Sequence, residues 1–483
     1  MKGYRGGMFK GKETVSRYEM AIIISRLLNK MKGHEVSTDV RRTMDRLGEE
    51  FMDELDLIGA RLTALENAFH EHVTDGGDMG SGTGVNISGD LRVRAEFNDV
   101  DAGVGVGALA AGSDEMIWHR TRIDMEKAVG DADVYVQLQH SGRFGDNPAN
   151  TVANAAGVFV DNATNLHQVY TNVHFGEDGN TRDLQVGRFE MAYGDETLIG
   201  PVGWSNVGRT FDGLRYTSRE AGDDFGWDLF YTNLTDDDGT LVPALNPGTA
   251  VSDDTFMGLN LTWDEVLDGG LNVFYYKRNA DATVAAGDRL NTLGFNWNRR
   301  DDDWNYYVQY AQQSGDTSNT AGAPEYDGDM MRATVSYDYD EDKSIALDYH
   351  TYSGDDGTSA DFEGFRPLYQ TGHGILGLAD VFSQDGSDQN ADGIKESGIQ
   401  DISLHFKWNQ DQDSSWGLAY HMFTANEMPA GFDDDFGDEI DLTYSYQYSD
   451  DVGFDFGYAA YSAPSNAVIG DYNFGWITTN VKF

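Results

Sequence analysis

Cysteine is absent from the 483 residues. That excludes a disulfide framework, a thiolate metal site and a cysteine nucleophile. Long apolar runs are missing too. No stretch of about 18 apolar residues occurs, so no transmembrane helix is encoded. A membrane is not thereby excluded, because a spanning strand needs only about 10 residues, half of them apolar. The mean hydropathy of −0.51 averages over such strands and misses them. Basic residues are few: 34 Lys and Arg stand against 82 Asp and Glu, a net charge of −48. Duplex nucleic acid is therefore no partner, since binding it needs clustered Lys and Arg. There is no nucleophile elbow, phosphate loop or zinc-binding helix motif, and the 11 histidines are scattered, so the chain does not read as an enzyme. No basic start leads into an apolar core with a small-residue cleavage site. Export would then require that Met1 is not the true start, or that the front was trimmed.

What is present is alternation. From Val85 to Phe483, eighteen segments alternate apolar and polar residues, the first near 87–97 and the last near 472–483. In the first, Leu91, Val93, Ala95 and Phe97 share one face and Arg92, Arg94 and Glu96 the other, as strand geometry dictates. Short and long connections alternate to the end, which is the habit of transmembrane barrels with short periplasmic turns and long outer loops. This parity puts both Val85 and Phe483 on the short-turn side. An even count lets the first and last strands pair and leaves no open edge in lipid. Eighteen strands enclose an aqueous lumen. Aromatics make up 12% of the chain, which suits interfacial girdles. The acid excess belongs to this region: 12 basic and 14 acidic residues precede Val85, leaving 22 and 68 after it. Acidic loops of that kind attract cations.

Three segments carry a family resemblance. The first is Gly187 to Thr217, with Gly187-Arg188, Tyr193-Gly194-Asp195-Glu196, Gly200, Trp204-Ser205-Asn206, Gly208-Arg209 and Phe211-Asp212-Gly213. The second is Phe362 to Phe382, with Pro367, His373, Gly377 and Asp380. The third is the run from Glu439 to Tyr461. Together they resemble the alginate-export porin family over residues 85–483. The resemblance implies an outer-membrane barrel of eighteen strands and an arginine-lined conduit for polyuronate or small solutes. Acidic loops would oppose an anionic polymer at the mouth.

The front of the chain differs. Gly3-Tyr4, Gly7-Met8-Phe9 and Ser16-Arg17-Tyr18-Glu19-Met20-Ala21 resemble the second half of an S-layer-homology module. That resemblance implies a periplasmic foot on the cell wall (peptidoglycan), with Arg17 and Glu19 in the binding element. The same residues also form an ordinary capping box, Ser16 with Glu19. In residues 33–75, Val40, Met44, Leu47, Phe51, Leu55, Ile58, Leu62, Leu65 and Phe69 form a coiled-coil seam. A single helix over residues 38–70, about 50 Å long at 1.5 Å per residue, cannot bury it, so we expect a homo-oligomeric stalk, a trimer. The glycine-rich run at 76–84 is then a flexible linker.

With the apolar face toward lipid, the opposite face lines the pore. It presents Arg92, Arg94, Glu96, Arg120, Arg122, Asp124, Tyr135, Gln137, Tyr170, Arg215, Arg332, Asp348, His350, His405 and Lys407. Either these form a mixed-charge constriction that sorts solutes, or the arginines pair with wall carboxylates and brace the barrel. Arg188 follows Leu184 and Val186 in strict alternation and belongs at the outer rim or beside a bulge. Asp388, Asn390 and Asp392, with Gly393, match the opening of a calcium loop. Position 12 is Ile399, so an EF-hand is not supported, and an ordinary Asp/Asn/Gly turn is the alternative. No cofactor is required. Three functions follow: a porin for small hydrophilic solutes tethered by its N-terminus, a polysaccharide exporter, or a structural tether with a plugged barrel.

Overall fold

The computed structural model describes residues 84–102, 111–144, 163–176, 180–235, 254–280, 287–318, 322–355, 357–382, 397–427, 434–465 and 470–483. The module at 1–32 with Arg17 and Glu19, the stalk at 33–75, the linker short of Gly84 and the run with Asp388, Asn390 and Asp392 lie outside them. Among the described residues no helix is long and apolar enough to cross a membrane.

The strands are β1 (Asn86–Val100), β2 (Gly112–Val129), β3 (Ala132–Arg143), β4 (Ala163–His174), β5 (Thr181–Phe189), β6 (Phe211–Arg219), β7 (Phe225–Thr235), β8 (Asp254–Val266), β9 (Gly269–Asn279), β10 (Arg289–Asp301), β11 (Trp304–Asp316), β12 (Glu325–Tyr326), β13 (Asp329–Asp340), β14 (Lys343–Tyr352), β15 (Ile399–Asn409), β16 (Ser414–Thr424), β17 (Asp435–Ser449), β18 (Val452–Ser462) and β19 (Tyr472–Lys482). β12 is a two-residue addition to the end of β11. The other eighteen pair antiparallel with their sequence neighbours, and β19 closes on β1 with Asp90 opposite Lys482 and Val100 opposite Tyr472. The expected count of eighteen holds, with both strand termini at the short-turn end. Closure satisfies every ladder without exposing an edge, which a bilayer core demands.

Two-residue turns join five of the hairpins, among them Leu267–Asp268, whose φ values of 55° and 59° match the twist of a tight hairpin. The outward face is a continuous apolar band. Leu347, Leu404, Leu418, Ile440 and Ile477 are each about half exposed or nearly so. Toward the short-turn end this band is edged by aromatics. Trp304 packs on Tyr337 at 4.7 Å and Trp416 on Tyr444 at 4.4 Å. Such a girdle marks a membrane interface.

The largest fully buried side chains lie inside the barrel. Phe230, Phe256 and Tyr276 project from β7, β8 and β9 and are essentially inaccessible. They are covered by loops that fold inward, and that covering builds the site.

Candidate functional site: two loops inside the lumen

Directly opposed residues of neighbouring strands share a face. Arg92 lies opposite Arg120 and Asn480, Asp124 opposite Gln137, and Tyr135 opposite Tyr170. Arg332 lies opposite His350, Asp348 opposite Ser403, and His405 opposite Ala419 with Lys407 opposite Gly417. All these side chains point inward, as do Arg94, Glu96, Arg122 and Arg215. Several are covered there. Arg92, Arg94, Arg120, Gln137, Asp348 and His350 are all buried.

What covers them is the β5–β6 connection, residues 190–210. Arg92 donates to Gly203 O at 2.8 Å, Ser205 O at 2.8 Å and Asn206 Oδ1 at 3.0 Å. Arg120 donates to Gly203 O and Ser205 O at 3.1 and 3.2 Å. Arg94 donates to Trp204 O at 2.8 Å and to Glu96 at 2.5 Å. Its guanidinium also lies 3.8 Å over the Trp204 ring. Loop backbone carbonyls are strong acceptors that need partners once taken from water. Here three wall arginines supply them.

The second loop is the β14–β15 connection, described through Phe382. Tyr369 N donates to Leu198 O, Gly200 N to Tyr369 O, and Thr371 N to Glu196 O, at 2.8 to 3.0 Å. These bonds make a short ladder between the two loops, with Ile199 and Tyr369 bridged in parallel. His373 stacks on Trp204 at 3.7 Å, and its Nδ1 lies 2.7 Å from Asp380. Arg94, Trp204 and His373 thus form one stack from wall to loop centre. Arg209 bonds Gln370 O at 2.8 Å, and Arg332 reaches Asp195 at 2.8 Å and Asp348 at 3.1 Å. From β17 Glu439 accepts the N–H groups of Leu378 at 2.6 Å and Ala379 at 2.9 Å.

Two glycines explain their place in the motifs. Gly377 has φ of +81°, and a Cβ there would stand 2.5 Å from Glu439 Oε1. Gly208 has φ of +75°, and a Cβ there would meet His167 Cε1 at 2.9 Å. Both positions exclude a side chain for reasons of backbone and space together. Gly194 also has positive φ, and Gly187 and Gly213 face each other across β5 and β6. Phe211 is buried against Tyr369. Arg188 and Asp212 do not join the site. Arg188 lies opposite Val169, on the outward face, where it grips Asp212 through two bonds of 2.6 and 2.7 Å. The pair removes net charge from a lipid-facing surface.

Sequence reasoning missed two features. The first is His167. It is the extra residue of a bulge on β4, unpaired between Leu166 and Gln168, which face Leu138 and Gln137 of β3, and it points inward beside Gln168, as bulges re-aim side chains. It sits 2.8 Å from Glu190 and 3.2 Å from Arg122. Burial works to raise the Glu190 carboxyl, but the His167 bond and the charges of Arg122 and Arg120 hold it below the ordinary range. The second is the apolar lumen wall. Phe256 packs on Tyr369 at 4.8 Å and Phe230 stacks on Tyr193 at 5.7 Å. The signal was readable: Leu229-Phe230-Tyr231 and Phe274-Tyr275-Tyr276 are apolar on both faces, as for strands buried on both sides. Among the described residues no group of three or more His, Cys, Asp or Glu side chains is arranged to hold a metal ion.

Known proteins agree with this architecture. OccAB3 of Acinetobacter baumannii superposes with a TM-score of 0.55 at 14% identity, over 82% of this chain and 99% of that one. OccK9 (OpdG) of Pseudomonas aeruginosa gives 0.54 at 15% over 82% and 99%, and OccK11 (OpdR) of the same organism 0.52 at 12% over 82% and 96%. At such identity the likeness is one of fold. No curated protein matches the chain. The alginate export family matches residues 84–468, which takes in every strand through β18 and both infolded loops, and the chain belongs to that family.

Proposed function

We propose that the protein is an outer-membrane porin through which small hydrophilic solutes and ions diffuse passively, past a constriction formed by the two lumenal loops. The observation that supports this most directly is the pairing of an outward apolar band with a charged and hydrogen-bonding interior in a closed eighteen-strand barrel. That is the arrangement of a wall with lipid on one side and water on the other. The loops narrow the lumen rather than lie loosely in it. Each large apolar side chain they bury adds about 1.5–3 kcal/mol. In planar bilayers the purified full-length protein should give stepwise ohmic currents. A silent protein would favour the plugged structural tether.

Export of an alginate-type polysaccharide is the second reading, favoured by the family match. Against it, the inward arginines at the loop spend their donors on loop carbonyls. Block of the current by polyuronate, with neutral sugars inert, would support export.

We also propose that residues 1–32 hold the cell wall from the periplasm and that residues 33–75 trimerise. Full-length protein should sediment with peptidoglycan, and Arg17→Ala with Glu19→Ala should abolish that. Loop calcium at Asp388, Asn390 and Asp392 would show as a chelator-sensitive current.

A further inference from the structure

We propose that the conduit selects cations and that the selection is made by carboxylates at its short-turn mouth; this rests on the porin reading. A cavity of about 600 Å³ opens there, lined by Asp90, Asp411, Asp413, Asp451 and Asp455 against a single lysine, Lys482. Register places Asp90 and Asp455 on the lumenal face, opposite Lys482 and Ser445 respectively. The acidic arc continues round the same end of the barrel. Asp124 and Glu126 lie opposite the inward Gln137 and Tyr135, and Asp133 lies opposite Asn172. Asp183 follows on β5, where His174 bridges it to Asp133 with two contacts of 2.8 Å.

Elsewhere in the lumen, positive charge includes the exposed Lys407 of β15 and arginines that are already engaged. Arg94 is paired with Glu96, Arg122 with Glu190, Arg215 with Asp228 and Arg278 with Asp288. Arg332 serves two carboxylates, Asp195 and Asp348. Arg92 and Arg120 face loop carbonyls, and Arg120 also lies 3.5 Å from Asp90. The arginine wall is thus engaged beneath the loop, while the mouth carries carboxylates in excess. From Val85 onward the chain holds 22 basic and 68 acidic residues.

The physics is that of a charged, low-dielectric rim. Walls of one sign focus the field and raise the local concentration of counter-ions. At physiological salt the field reaches about 8 Å before screening. Rings of Asp and Glu make cation channels for this reason. The solute class implied is monovalent cations and small solutes that carry an ammonium group. Free carboxylates are disfavoured.

The test is the reversal potential of full-length protein in a planar bilayer under a tenfold KCl gradient at low salt. K⁺ should exceed Cl⁻ in permeability by roughly three- to tenfold. Asp413 and Asp451 stand in turns outside the strand ladder. The double variant Asp413→Asn, Asp451→Asn should therefore fold and lower the ratio by about twofold. Raising both sides toward molar salt, where screening shortens to about 3 Å, should bring the ratio toward that of free diffusion. A wild-type ratio at or below one overturns the proposal while leaving the porin reading in place. An unchanged ratio in the double variant overturns the assignment to the mouth. No current at all removes the porin reading and this inference with it.

Discussion

Arg92 and Arg120 share the same two acceptors, Gly203 O and Ser205 O. That redundancy sets how substitutions will behave. Removing Arg92 alone leaves Arg120 to satisfy both carbonyls, so Arg92→Ala should cost only the lower end of the 1–3 kcal/mol typical of an orphaned buried group. Removing both leaves the carbonyls unpaired in a dry place. The double variant should lose more than the two singles together, by about 1–2 kcal/mol of coupling. Unfolding midpoints in denaturant check this, and strict additivity would show that the arginines do not act on a common target. Gly377 makes a sharper case. Gly377→Ala forces a Cβ to within 2.5 Å of the carboxylate that anchors the loop, in a backbone region alanine avoids. The cost should be about 1–3 kcal/mol, local to the second loop. We expect noisier and larger single-channel currents with little change in the melting of the barrel.

At the level of elements, the strands were legible because alternation is a strong signal wherever one face meets lipid. Segments expected near 399–409, 414–424 and 452–462 appear with those same bounds. At the outer loops the strand ends shift, outward in β2, which starts at Gly112, and inward in β6, which starts at Phe211. The inward arginines were legible too, by parity alone. Their occupation was not. Nothing in local periodicity says that residues 190–210 turn back into the barrel, because the contacts that hold them are over a hundred residues away in sequence, as with Arg92 and Gly203. The bulge at His167 was equally hidden, since one extra residue leaves no trace in composition. The loops follow from the wall, so the wall should survive without them. Replacing residues 194–206 by a short glycine-rich turn should keep the barrel closed, because β5 and β6 are still paired to β4, to each other and to β7. The same change should raise conductance severalfold by removing Trp204, which fills the lumen beside Arg94 of β1 and Trp476 of β19. Unaltered conductance would mean that the narrowest point lies elsewhere.

For the whole molecule, the chain divides at Gly84, and the barrel unit that follows closes on its own strands. β1 starts at Asn86 and pairs on both sides, with β2 and with β19, and Phe483 is tied to Gly89 through backbone bonds of 2.8 and 3.0 Å. A chain starting at Val85 should therefore still give a heat-modifiable band on a gel. Oligomeric state should change. On the proposed stalk, the nine apolar positions from Val40 to Phe69 need partner helices, and burying a large side chain contributes about 1.5–3 kcal/mol. Association through the seam predicts that light scattering in detergent finds three chains per particle for the full-length protein and one for the truncated barrel. A trimer that survives truncation would move the contact to the barrel's outer wall. A full-length monomer would remove the stalk as an association device while leaving the channel untouched, because closure depends only on residues from Asn86 onward.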